Sequence, residues 1–228
     1  MLVVHVVGGA VALIALWIPA VTTKGSALHR RAGWVYACAM WLAALAALAL
    51  CAARLLDANP DNDGSAWLLA FLGLLAANGA ATGIRAVRAK TPIGGIGGAF
   101  DVVSSVLFLA ASIALGAYGA ANGSALHLAF AALGVVLAGR QLRYWLRGPA
   151  SRMDWWYTHM ANMLAACIGT ITAFIVVNLP ALGWQRLTTV AFAAPGVLGG
   201  AAITLWTRHY RRKHSSARTP GRQPRASE

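Results

Sequence analysis

Apolar residues in this chain run in long blocks parted by short polar joints. A hydrocarbon core about 30 Å thick takes roughly 20 residues of helix to cross. Seven blocks reach that length: Leu2 to about Val21, Trp34 to about Leu55, Ala66 to about Ala86, Asp101 to about Ala120, Ala125 to about Trp145, Trp155 to about Val177, and Leu187 to Trp206. Pro195 and Gly196 interrupt the seventh, and a kinked helix spans only where neighbours satisfy the freed carbonyls. The pattern predicts an all-α polytopic bundle of seven transmembrane spans over residues 1–213. A polar tail rich in Ser, Pro and Arg, 214–228, is expected to be disordered and to lie near anionic headgroups.

Composition narrows the class. Of 228 residues 59% are hydrophobic and only 11% charged, less than half the share usual in soluble domains. The mean hydropathy is +0.63. Water-soluble enzymes, nucleic-acid binders and disordered regulators fit this poorly. The net charge of +13 could point to nucleic acid, but the basic residues sit at the ends of apolar blocks and form no polar face. Lys24, Arg30 and Arg31 follow span one; Arg85, Arg88 and Lys90 follow span three. Arg140, Arg143, Arg147 and Arg152 close span five, and the rest follow span seven. Only Arg54 and Arg186 fall on the other side. By the positive-inside rule this predicts an outer N-terminus and an inner C-terminus. No basic residue precedes span one, so it reads as a reverse-oriented anchor and not as a cleaved signal peptide.

Ionisable groups inside a bilayer mark function by default, so the histidines carry the chemistry. His5, one turn into span one, and His127, in the first turn of span five, lie at one depth. His159, one turn into span six, and His29, in the joint before span two, lie at the opposite depth. His5 and His127 each begin a strip of small residues. Such a strip either lets helices approach closely or leaves room for a flat macrocycle beside an axial imidazole. His5/His127 and His29/His159 are therefore candidate haem-binding pairs, with Arg30 and Arg143 placed to hold carboxylates such as haem propionates. His5, His127, His159 and Met163 are an alternative soft set for copper. Tyr36, Met40, Asn78, Asp101 and Asn162 are candidates for the surrounding shell, Asp101 either pairing with a cation or orienting an imidazole.

Other chemistries lack their residues. No HExxH, GxSxG, phosphate loop or EF-hand occurs. The three lysines lie outside the apolar blocks, which excludes a retinal Schiff base, and no Asp or Glu sits at mid-depth as a proton-coupled transporter would need. The cysteines, Cys38, Cys51 and Cys167, form no CxxC and read as small buried hydrophobes. The nine tryptophans fall mostly near span ends, as an interfacial belt.

The opening His5-x2-Gly8 … Lys24-Gly25-x3-His29-Arg30-x2-Gly33-x2-Tyr36-x3-Met40 resembles a group of uncharacterised bacterial multi-helix inner-membrane proteins that share a domain of unknown function. His159-x2-Asn162-Met163 is similar to a later stretch in them. The resemblance implies a helix bundle and brings no established activity. The opposed histidine levels also resemble, in layout only, cytochrome b561-type proteins. Three functions follow as expectations. One is a redox protein with haem b or copper, passing electrons between quinol and a membrane partner. The second is a non-catalytic membrane protein (permease, assembly factor or accessory subunit) with structural histidines. The third binds anions or lipid headgroups through the arginines.

Overall fold

The computed structural model describes residues 1–56, 63–90 and 97–216. Among them there is no strand. The helices are α1 (Leu2–Ala15), α2 (Trp17–Val21), α3 (Ala27–Leu56), α4 (Asp63–Ala89), α5 (Ala99–Ala121), α6 (Ala125–Arg147), α7 (Asp154–Asn178) and α8 (Thr188–Ser216). Together α1 and α2 make one span, and the other six make one each, so seven segments are long and apolar enough to cross a membrane. The chain is a multi-pass membrane protein. Leu45, Leu107 and Leu198, each about two-thirds exposed on the bundle's outside, face what must be lipid.

Three boundaries differ from the sequence expectation. First, α3 starts seven residues early, at Ala27, and carries His29, Arg30 and Arg31 on a helix and not in a joint. Ser26 is the reason: its Oγ accepts the His29 backbone N–H at 3.1 Å, as an N-cap does. Second, span one breaks at Leu16. Pro19 lacks the N–H that would have bonded the Ala15 carbonyl, and α2 restarts the helix for five residues. Third, α8 continues through Pro195 without interruption. The helical start of the tail, to Ser216, belongs to α8; the remainder of the expected disordered tail lies outside the described residues. So do Asp57 and Asp61 of the acidic cluster and most of the glycine-rich joint before α5.

The broadest packing surfaces join α4 to α7, α5 to α6 and α1 to α3. Lipid gives helices no hydrophobic reason to associate, so close packing of small residues must do it. One core lies between α1, α3, α4 and α7 and is mostly alanine, with Ala12, Ala15, Tyr36, Ala37, Met40, Ala76, Ala80 and Ala166. The other joins α4, α5, α6, α7 and α8 through Leu68, Phe71, Leu72, Phe108, Leu115, Ala131, Val176 and Phe192. Helix α4 serves both. Gly134 of α6 shows how tight the second core is: a Cβ there would run into Ser112 and Phe71. A buried amide network crosses it, Asn78 Nδ2 donating to Gln141 Oε1 at 3.1 Å and Gln141 Nε2 to Thr82 Oγ1 at 2.9 Å.

The tryptophans divide more finely than a belt. Trp145 is 1% exposed, buried under the chain at Gly97, whose N–H bonds the Trp145 carbonyl at 2.6 Å. Trp41 donates its indole N–H to the Ala77 carbonyl.

Candidate functional site

His5 and His127 do not meet. Helix α1 leans on α3 and α7, whereas α6 leans on α5 and α4, so spans one and five are not the neighbours that a shared site requires. His5 Nδ1 donates to the Ala43 carbonyl of α3 at 2.9 Å. His127 Nε2 donates to the Gly64 carbonyl of α4 at 2.8 Å, and its Nδ1 sits 2.7 Å from Ser124 Oγ. A carbonyl only accepts, so Nε2 carries the proton and the neutral Nδ1 accepts from the serine hydroxyl. Both nitrogens of His127 are engaged. Tyr118 packs on its ring at 5.1 Å, and the residue is 7% exposed. No lone pair is left on His127 for a metal; His5 keeps one on Nε2 but has no second imidazole beside it, so the expected outer pair is not brought together.

The opposite end is built differently. His29 and His159 lie with ring centres 6.4 Å apart and planes at 66°. His159 Nδ1 donates to the Gly83 carbonyl of α4 at 2.9 Å, and His29 Nδ1 to the Pro19 carbonyl at the end of α2 at 3.2 Å. With Nδ1 protonated, each neutral ring keeps its lone pair on Nε2. Backbone carbonyls on Nδ1 are the usual way a metal-ligating imidazole is oriented. The Pro19 carbonyl also takes Lys24 Nζ at 2.7 Å, which ties the joint between the first two spans into this corner. Met163, one turn after His159, packs against Gly83, where a Cβ would come 2.9 Å from its sulfur. That glycine lets α7 come close enough for His159 to reach the α4 backbone.

The surrounding residues are sorted by the structure into neighbours and strangers. Tyr36 and Met40 lie on α3 two and three turns beyond His29. Tyr36 Oη is 3.1 Å from Thr170 Oγ1, which in turn donates to Met40 Sδ at 3.2 Å. Asn162 donates to the Thr158 carbonyl of its own helix. Asn78 belongs to the amide network with Gln141. Asp101 takes the first of its two expected roles: it holds Arg85 through Nε at 2.7 Å and Nη2 at 2.8 Å, and orients no imidazole. Its Oδ2 also accepts the Gly98 N–H at the start of α5. Arg30 bonds the Gly25 carbonyl, and Arg143 is exposed on α6, a helix that does not pack on α3. Neither is brought to the histidine pair.

Two contributors escaped sequence reasoning. Asp154, the first residue of α7, ties down the joint before it by accepting from the Ala150 and Ser151 backbone, and pairs with Arg211 of α8 at 3.3 Å. An acid in a helix's first turn was the available signal. Gln141, an amide one to two turns from the C-terminal end of α6 that donates to Thr82, was the other omission.

Among the described residues no three His, Cys, Asp or Glu side chains converge as a metal site. A closed structural zinc site, which takes four protein ligands, is therefore not formed by those residues. Two imidazoles match the ligand number of a six-coordinate haem, or of copper completed by thioether or exogenous ligands. No protein-family model matches the chain, and neither a curated protein nor a solved structure matches it.

Proposed function

We propose that this chain is a bacterial inner-membrane redox protein, N-terminus outside and C-terminus inside, whose basic end holds a redox group between His29 and His159. The group is haem b in the first place and copper in the second, and it passes electrons between quinol and a membrane partner. The observation that carries the reading is the histidine pair itself: ring centres 6.4 Å apart, each Nδ1 tied to a backbone carbonyl. Two imidazoles bound to one metal from opposite sides at about 2.0 Å would hold their ring centres roughly 6.3 Å apart. The orientation rests on the positive-inside rule, since the ends of the spans that carry His29, Arg85, Arg143 and Arg211 all share one side.

The test is purification from membranes of cells supplied with haem precursor and copper. Absorbance is recorded before and after dithionite, with metal analysis of the same sample. About one haem or one copper per chain is expected. A colourless, metal-free protein overturns the reading. A second reading, a non-catalytic permease, assembly factor or accessory subunit, is favoured by a different observation: His5 and His127 are satisfied by neighbouring helices as interhelical ties.

A further inference from the structure

At the same end as His29, but on the flank formed by α3, α4 and the start of α5, lies a cavity of about 150 Å³ lined by Trp34, Trp41, Ala81, Ile84, Arg85, Arg88 and Phe100. That is the volume of roughly five liquid waters, enough for a phosphate and the start of a chain and too little for a macrocycle. Its walls are aromatic and aliphatic, and its polar groups are two guanidiniums. Trp34 and Trp41 stand edge-to-face at 6.2 Å. The Arg88 guanidinium lies 4.6 Å over the Trp34 ring, and that of Arg85 lies 5.8 Å from the Phe100 ring centre.

The charge inventory shows what is missing there. Among the described residues, the acids at this end are Asp101 and Asp154, and both are committed, to Arg85 and to Arg211. Asp63 begins α4, some 25 residues and about 37 Å of helix from Arg88. Arg88 therefore has a cation–π contact and no described acid. Asp101 grips Arg85 by Nε and Nη2, which fixes the guanidinium plane and leaves Nη1. Two arginines, one of them held rigid, above an aromatic and aliphatic slot make a receptor for an anion with an apolar tail. A guanidinium matches phosphate oxygens by its planar fork. Arg88 sits one residue from the end of α4 and Phe100 in the first turn of α5, which is headgroup depth.

We propose that this cavity binds the phosphate of an anionic phospholipid, with Arg88 and Arg85 on its oxygens and Trp34, Trp41, Ala81 and Ile84 against the first part of its acyl chains. The site is independent of the histidine pair and stands whether or not a redox group is bound.

The test uses the full-length protein in nanodiscs of phosphatidylcholine with a minor fraction of phosphatidylglycerol, with retained lipid counted by native mass spectrometry. The wild type should keep one phosphatidylglycerol through extensive delipidation. Arg88→Gln should weaken retention about tenfold, the loss expected for a charge-assisted hydrogen-bonded partner. Arg147→Gln removes the same charge from an exposed position at the same end and should leave retention unchanged. Ala81→Leu, which fills the slot and leaves both arginines, should also release the lipid. Equal loss in Arg88→Gln and Arg147→Gln would mean diffuse attraction and overturn the site. So would full retention in both Arg88→Gln and Ala81→Leu. Competition by millimolar inorganic phosphate that displaces the lipid, and is itself lost in Arg88→Gln but not in Ala81→Leu, would assign a free-phosphate site and overturn the lipid.

Discussion

At one end of the bundle His127 has both ring nitrogens engaged, by Ser124 and by the Gly64 carbonyl. At the other, His29 and His159 engage one nitrogen each and turn their rings toward one another. In the structure all three residues lie in the first turns of an apolar helix. What separates His127 from the other two is the second nitrogen. Where a hydroxyl and a carbonyl converge on the ring, the imidazole is a polar bolt. Where only a carbonyl on Nδ1 is met, as at His29, His159 and also His5, the imidazole is an oriented base with a lone pair to offer, and only His29 and His159 bring two such rings together. The charges differ as well. The His159 end carries two buried or half-buried ion pairs, Arg85–Asp101 and Arg211–Asp154, while the His127 side is held by aromatic packing of Trp67, Tyr118 and the ring itself.

The contrast can be broken by substitution, beginning where the effect should be largest. Arg85→Ala leaves the Asp101 side chain, 1% exposed, without its counter-ion. Breaking a buried pair in this way costs about 3–5 kcal/mol, to be seen as a large fall in the thermal midpoint in detergent. Asp101→Asn should cost less, because Arg85 is 38% exposed and reaches water. An equal loss for the two would contradict the asymmetry of burial. Next comes His159→Ala, expected to weaken cofactor retention about a hundredfold or more while the protein remains in the membrane. Metal and haem content per chain is the measurement, and unchanged content would erase the difference between the two ends.

His127→Ala should do the opposite. It orphans the Gly64 carbonyl and the Ser124 hydroxyl, destabilises by about 2 kcal/mol, and leaves cofactor content as it was. A drop in cofactor without a drop in stability would reverse the assignment. The smallest effect is expected for Ser26→Ala, which removes the cap on the His29 backbone. About 1 kcal/mol of stability should go, with a modest loss of cofactor affinity as α3 frays at His29. Wild-type behaviour in both assays would mean that the cap does not position the ring.

Depth was legible in the sequence and direction around the bundle was not. The positions of His5 and His127 along their helices followed from counting residues. Nothing in the chain says that α1 turns to α3 and α6 to α5, because helix order around a bundle is fixed by packing of small residues that every span here carries. The partnership of His29 with His159 was legible because the short joint after Pro19 leaves His29 little freedom. Its place on a helix was not. Hydropathy discounts a run such as His29-Arg30-Arg31, although long cationic side chains at a helix end reach the interface without leaving the helix. Ser26 was a cap signal in plain sight, lacking only the Glu or Gln three residues on that would have completed a capping box. The Arg85–Asp101 pair was half legible: both charges were placed at one depth, but the choice between a cation and an imidazole depended on which way α5 faced.

Helix α4 contributes to both cores, and its broadest partner, α7, is separated from it by the two spans of α5 and α6. That has a meaning in time. During synthesis α4 enters the membrane after α3 and finds only part of its surroundings. The Gly79 and Gly83 face, shaped for Asn162, Met163 and Ala166, must wait for some seventy further residues to be made. Until then the Gly83 carbonyl has no imidazole, His29 has no opposite ring, and the first four helices are a frame without its keystone. The histidine pair is therefore assembled late, by the arrival of α7. A chain halted before Asp154 would carry half of the site and nothing to close it.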